Sequence, residues 1–187
     1  MSRGGEDVRG RLQRAALELF RERGYDQTTS AEIAAQAGVT ERTFFRHFAD
    51  KREVLFDGEA TLRSALTDAI AAAPAALGPL DTLLTVFRSV APMIEANRPF
   101  AEPRQHVIAT TPALQERELA KLALLTSALA AALQARGVDQ KLAMLAAQTG
   151  MAVFVQATLS WFDEPRHGLI GHLDQTFLSL RELAGQT

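Results

Sequence analysis

Four polar side chains, Arg42, Thr43, Arg46 and His47, fall within six residues of one another. At the helical period they spread over one side, while Phe44 and Phe48 share the other. A short helix of this kind buries its aromatic side and turns outward groups that donate to phosphate oxygens and purine edges. Catalytic patterns are weaker. Glu164-x-x-His167 has the spacing of a carboxylate-bridged di-iron ligand pair, but that site needs a second such motif and two more helical glutamates, and Pro165 interrupts this one. His167 and His172 are five apart, about 140° around a helix, and make poor co-ligands. There is no G-x-S-x-G, P-loop or G-x-G-x-x-G pattern, and the absence of cysteine removes thiolate sites and disulfides. The expectation is a protein that is not an enzyme and takes no metal and no cofactor. Two rival readings are a helical metalloenzyme and a protein-interaction module that keeps the helical corner only as a fold.

The elements that must position these side chains lie around them. Thr29-x-x-Glu32 is a capping box ahead of Ile33, Ala34 and Ala37, so a helix starts near Ser30. Gly38 ends it, Val39 plugs the corner, and Thr40 caps a second helix through Phe48. This is a helix-turn-helix. Asp50-x-x-Glu53 reads as a second capping box that starts a long helix from Lys51 to about Ala72 and sets Lys51 in its first turn, beside amides that also favour an anion. AAAPAALGP breaks that helix. Upstream, Val8, Leu12, Ala15, Ala16, Leu19 and Phe20 predict a helix ending at Gly24, with Tyr25 filling the small core. Downstream the spacing predicts helices over 79–97, 100–110, 113–136, 139–162 and 167–183. The fold class is all-α: a helix-turn-helix domain at 1–55, with a mobile tail at 1–7, joined through a shared helix to a helical ligand-binding and dimerisation domain at 56–187.

LELFRERGYDQTT, AEIAAQAGVT and ERTFFRHFADKREVLF, between Leu17 and Phe56, resemble the DNA-binding domain of the TetR/AcrR family of bacterial one-component regulators. The resemblance implies DNA contacts for Thr28, Thr29, Thr40, Arg42, Thr43, Phe45, His47 and Lys51, to which the helical face adds Arg46. Two positions depart from the family pattern: Phe45 stands where Tyr is usual, removing a hydroxyl that reaches a phosphate, and Glu41 stands where a basic residue is common. The stretch from Arg104 through PALQERELAKL to Trp161 is similar to an alanine-rich C-terminal domain of actinobacterial members. The implied function is a ligand-responsive repressor that binds a palindromic operator as a homodimer.

Charge is distributed accordingly. Residues 1–52 carry ten Lys+Arg against eight Asp+Glu, and residues 53–187 carry ten against fourteen. An excess this small favours two copies acting on one double-stranded operator. MSRGGEDVRG has no apolar h-region, so a cytoplasmic protein is expected. Residues 142–162 lack charge altogether, but two glutamines, Thr149, Gly150 and Ser160 dilute them, and the expectation is a helix buried on every side, with no membrane contact. Its small face, Ala146, Gly150, Val153 and Ala157, reads as a helix interface, and the family resemblance implies that this helix and the last one, with Leu169, Leu173, Phe177 and Leu180, pair with their copies in a dimer. Its opposite face, Met144, Gln148 and Met151, reads either as one wall of a pocket for a small, largely apolar effector or as plain core. Phe87, Phe100, Phe154 and Trp161 are available as further lining, with Arg104 and His106 as polar handles beside Gln148.

Overall fold

A computed structural model describes residues 3–185, and side chains from Val8 onward. Among the described residues nine α-helices follow in order: α1 (Arg3–Arg23), α2 (Ser30–Gln36), α3 (Glu41–His47), α4 (Glu59–Ala72), α5 (Pro79–Ala96), α6 (Arg98–Ala109), α7 (Pro112–Ala135), α8 (Gln140–Asp163) and α9 (Gly168–Leu183). Short 3-10 turns occupy Glu53–Phe56 and Pro165–His167, and no strand occurs among the described residues. Helix α1 runs from Arg3, so residues 3–7 are helical rather than a tail, while residues 1 and 2 lie outside the described ones.

The helices pack as two compact units. One joins the residues up to Glu59 with Pro99–Glu118; the other joins Ala60–Arg98 with the residues from Leu119 onward. The packing division is therefore discontinuous, and α6 from Pro99 with the start of α7 belongs with the N-terminal helices.

In the first unit, Leu12, Leu19 and Phe20 of α1 close over Ile33 of α2 and Phe44 of α3. Val54, Leu55 and Phe56 enter the same core, as do Val107, Ile108 and Leu114. The caps are local. Thr29 and Glu32 form a reciprocal capping box on α2, and the Thr40 hydroxyl accepts from the Thr43 N–H at the start of α3. Gly38 turns the corner at φ +70°, where a Cβ would clash with its own backbone.

The continuous helix expected from Lys51 to Ala72 is not formed. Asp50 Oδ1 accepts from the N–H groups of Arg52 and Glu53, but this opens only the 3-10 turn. The Leu55 carbonyl, which in an α-helix would accept from residue 59, accepts from Arg104 Nε at 2.5 Å instead. The chain passes through Gly58, and α4 begins at Glu59.

In the second unit, α8 packs against α5 and α9. Phe87 and Phe154 stack with ring centroids 4.7 Å apart, and Gly150 lets Leu83 approach so closely that an added Cβ would stand 2.6 Å from its Cδ1. Arg136 donates to the carbonyls of Ile70, Ala73 and Pro74, satisfying the C-terminal end of α4, and the Glu95 carboxylate accepts from the Leu169 N–H at 2.6 Å in the first turn of α9.

Two expectations are corrected in this unit. Helix α8 is not buried on every side: Leu142, Met144, Leu145, Gln148 and Gln156 are exposed. Conversely, Ala146, Gly150, Val153, Ala157, Leu169, Leu173 and Phe177, expected at a dimer contact, are buried within this one chain, with Leu180 partly so. Their apolar periodicity is answered by α5, α8 and α9 of the same chain, which cover all of these side chains but part of Leu180. Helices α7 and α8 are each long and apolar enough to cross a membrane by length and composition alone.

Candidate nucleic-acid interface

Helix α3 presents Arg42, Phe45 and Arg46 to solvent, opposite the fully buried Phe44. Neither guanidinium makes an ion pair or a hydrogen bond among the described residues, so all ten N–H donors are available to a ligand. Thr40 and Thr43 sit at the N-terminal end of the helix, their hydroxyls 3.0 Å apart, and Thr40 is exposed. Thr29 is also exposed at the start of α2, where its N–H and hydroxyl both donate to Glu32. Those two bonds hold the Glu32 carboxyl below the usual carboxylate range.

Three of the expected contact residues are committed elsewhere. Thr28 is buried, and its hydroxyl donates to the Gly24 carbonyl at 2.9 Å, so it secures the α1–α2 loop and faces no ligand. Lys51 does not stand in the first turn of an α-helix. Its ammonium donates to the carbonyls of Tyr25 and Thr28 at 2.7 and 2.8 Å and lies 4.2 Å from the centre of the Tyr25 ring, which leaves one donor of three. Burial raises the pKa of the Tyr25 hydroxyl, and nearby Asp50 adds to that. His47 is half-buried and its Nε2 is enclosed without a hydrogen-bond partner. Desolvation, with Arg46 and Arg9 adding to it, pushes the imidazole pKa below its usual value in the free chain.

Arg9, with Arg3 and Arg11 a basic residue near the N-terminus, fixes the end of α3: it pairs with Asp57, donates to the His47 carbonyl at 3.3 Å, and covers the Phe48 ring. A second cationic cluster, which sequence reasoning missed, surrounds Phe56. Arg104 and Arg117 each hold a guanidinium 4.7 Å from the centre of that ring. Arg117 forks onto Glu53 at 2.8 and 3.1 Å and also reaches Glu59 at 2.8 Å; Arg104 pairs with Glu118 at 2.5 Å. These bonds raise the Arg117 pKa still further and keep it charged. The only signal in the sequence is the alternation of Arg and Glu in 116–118; Glu118 meets Arg104 fourteen residues away, but the glutamates that Arg117 takes lie 58 and 64 positions away.

The residues expected to line an effector pocket are not gathered into one. Phe87, Met151, Phe154 and Trp161 are buried in the core of the second unit. Met144 and Gln148 face outward, onto an open depression of about 470 Å³ shared with Gln134, Gln140, Lys141 and Leu145. Phe100 packs on the core of the first unit, Arg104 is bound to Phe56 and Glu118, and His106 is exposed. The helical period reported which residues share a face but not whether that face meets a neighbouring helix or solvent.

A capped helix-turn-helix with two unpaired guanidiniums on its second helix, followed by an all-helical unit, is the architecture of the helix-turn-helix class of regulatory proteins. Residues 12–57 match the model described as bacterial regulatory proteins, tetR family, and residues 77–184, more than half of the chain, match the MftR C-terminal domain. The chain belongs to the TetR family of bacterial regulatory proteins, with a C-terminal domain of the MftR type. It is 42% identical over 83 residues to the HTH-type transcriptional regulator TcmR of Streptomyces glaucescens, covering 44% of this chain and 37% of that protein. The chain thus spans 29–37% of the length of the curated relatives it matches. Among solved structures, Thermus thermophilus FadR, a repressor crystallised with lauroyl-CoA, is 25% identical with a TM-score of 0.56, over 96% of this chain and 94% of that one. SmeT, repressor of a Stenotrophomonas maltophilia multidrug efflux pump, shares the fold at 22% identity and a TM-score of 0.57, over 92% and 91%.

Proposed function

We propose that this protein is a cytoplasmic, ligand-responsive repressor that binds a palindromic operator as a homodimer, with no enzymatic activity of its own. The observation that carries the reading is the outward side of α3, where Arg42 and Arg46 are exposed and unpaired beside the capping hydroxyls of Thr40 and Thr43. Guanidiniums in this setting donate bidentately to guanine edges or to phosphate. In this reading Thr29 and the remaining donor of Lys51 contact the DNA backbone, and His47 contributes packing. Two copies compensate for the small charge excess of each N-terminal segment, because the second half-site is then bound intramolecularly.

The dimer contact is assigned to the outward faces of α8 and α9, which leave Leu142, Leu145, Ile170 and Leu178 exposed in the single chain. FadR was crystallised with lauroyl-CoA and SmeT with triclosan, both with large apolar parts, and a largely apolar effector is proposed here too. Such a molecule controls DNA binding only through unequal affinity for two states, and about 5.5 kcal/mol of difference moves the balance from 1:99 to 99:1. The test is a mobility shift on the promoter regions of the protein's own and adjoining genes, with Arg42→Ala as control. Retarded fragments whose retention falls steeply with salt are expected. Equal retardation by the variant and the wild type would overturn the assignment of α3.

A further inference from the structure

Phe45 is the one large apolar side chain on the outward arc of α3. It is 52% exposed and shares about 100° of the helix surface with Arg42 and Arg46. Its ring does not swing freely: it meets the ring of Phe44 edge to face, centroids 5.3 Å apart and planes at 84°, and Phe44 is itself fully buried. A lone exposed phenylalanine is unremarkable on most surfaces. Here it stands on the arc that must enter the groove if the reading above holds.

A phenyl ring offers base edges neither a donor nor an acceptor. The apolar feature that a base presents in the major groove is the 5-methyl group of thymine, and apolar side chains including Phe recognise it. The flanking guanidiniums match the O6 and N7 acceptors of guanine. We propose that Phe45 is a specificity-determining residue whose ring packs on one thymine methyl in each half-site, next to guanines read by Arg42 and Arg46. This rests on the proposed DNA-binding function and deepens it.

The probe is a duplex selected from a random pool by the wild-type protein, in which each thymine is replaced in turn by deoxyuridine, removing the methyl group and nothing else. At one position per half-site the wild type should lose about fourfold in affinity, the worth of one methylene-sized group. Phe45→Ala should bind the parent duplex more weakly by a similar factor and be indifferent to deoxyuridine there, whereas Phe45→Leu should keep part of the sensitivity. Because the ring stands at the surface with only its contact to Phe44 to lose, every variant should stay folded at the assay temperature, which a thermal melt of each checks. A wild type insensitive to deoxyuridine at every position, beside a weakened Phe45→Ala, overturns the proposal in favour of packing on sugar. So does a Phe45→Ala that binds like the wild type. If the wild type selects no duplex at all, the DNA-binding reading falls together with this one.

Discussion

The outward arc of α3 and the surroundings of Phe56 both display two guanidiniums on an aromatic background, within the same compact unit. Arg42 and Arg46 are solvated and unpaired, whereas Arg104 and Arg117 are stacked, paired with glutamates and largely withdrawn from solvent. A charge count treats the four alike. Their chemistry differs because the donors of one pair are already used, and a donor engaged at 2.5–2.8 Å is not offered to a phosphate.

The comparison is broken most severely at Phe56. Phe56→Ala removes a fully packed ring and the surface on which both guanidiniums rest, so urea unfolding should show a loss of about 3–5 kcal/mol. A loss below about 1 kcal/mol would mean that the cluster is ornament on a core held by other residues. Next in size, Arg117→Ala leaves Glu53 and Glu59 facing each other without their cation. Partial exposure moderates the cost, and about 1–3 kcal/mol is expected by the same measurement, with DNA affinity falling only as far as folding does. Arg42→Ala sharpens the other side: the melting temperature should stay at the wild-type value while operator binding weakens by about 1–3 kcal/mol in a sequence-dependent way. An Arg42→Ala protein that unfolds early would show that this guanidinium too is structural.

Gly150→Ala tests the interior of the second unit. The new Cβ meets Leu83, the end of a side chain that can shift, so stability should fall by about 1 kcal/mol while sedimentation still shows the wild-type oligomer. The smallest effect concerns His47. Its folded pKa is depressed, so the unfolded chain binds the proton more readily, and stability present above the usual histidine pKa is lost as pH falls through the lower folded value. His47→Gln should flatten the stability profile over that interval, and an unchanged profile would move the titrating group elsewhere.

The helix-turn-helix was legible because its determinants are local. The reciprocal bond of Thr29 and Glu32, the Thr40 cap and the turn at Gly38 all act over three or four residues. What could not be read depends on partners far along the chain. The break before α4 goes with Arg104, 49 positions beyond the carbonyl of Leu55 that it takes. Lys51 looks like a free cation until the carbonyls of Tyr25 and Thr28 are seen on it. In α8 the small residues share one face, as their spacing predicts, but periodicity does not say whose helix covers that face, and α5 and α9 of the same chain do so first.

The discontinuity of the first unit bears on how the protein is made. Its core needs Val107, Ile108 and Leu114, so a nascent chain that has released only α1 to α3 holds an unfinished hydrophobic surface until more than a hundred residues have emerged. Closing that core joins segments roughly fifty or more residues apart, a slow kind of contact. A fragment ending at Glu59 should therefore be partly molten and bind dye at its exposed core. A chain cut short before α7 would be stranded without a competent DNA-reading surface rather than left as an unregulated one.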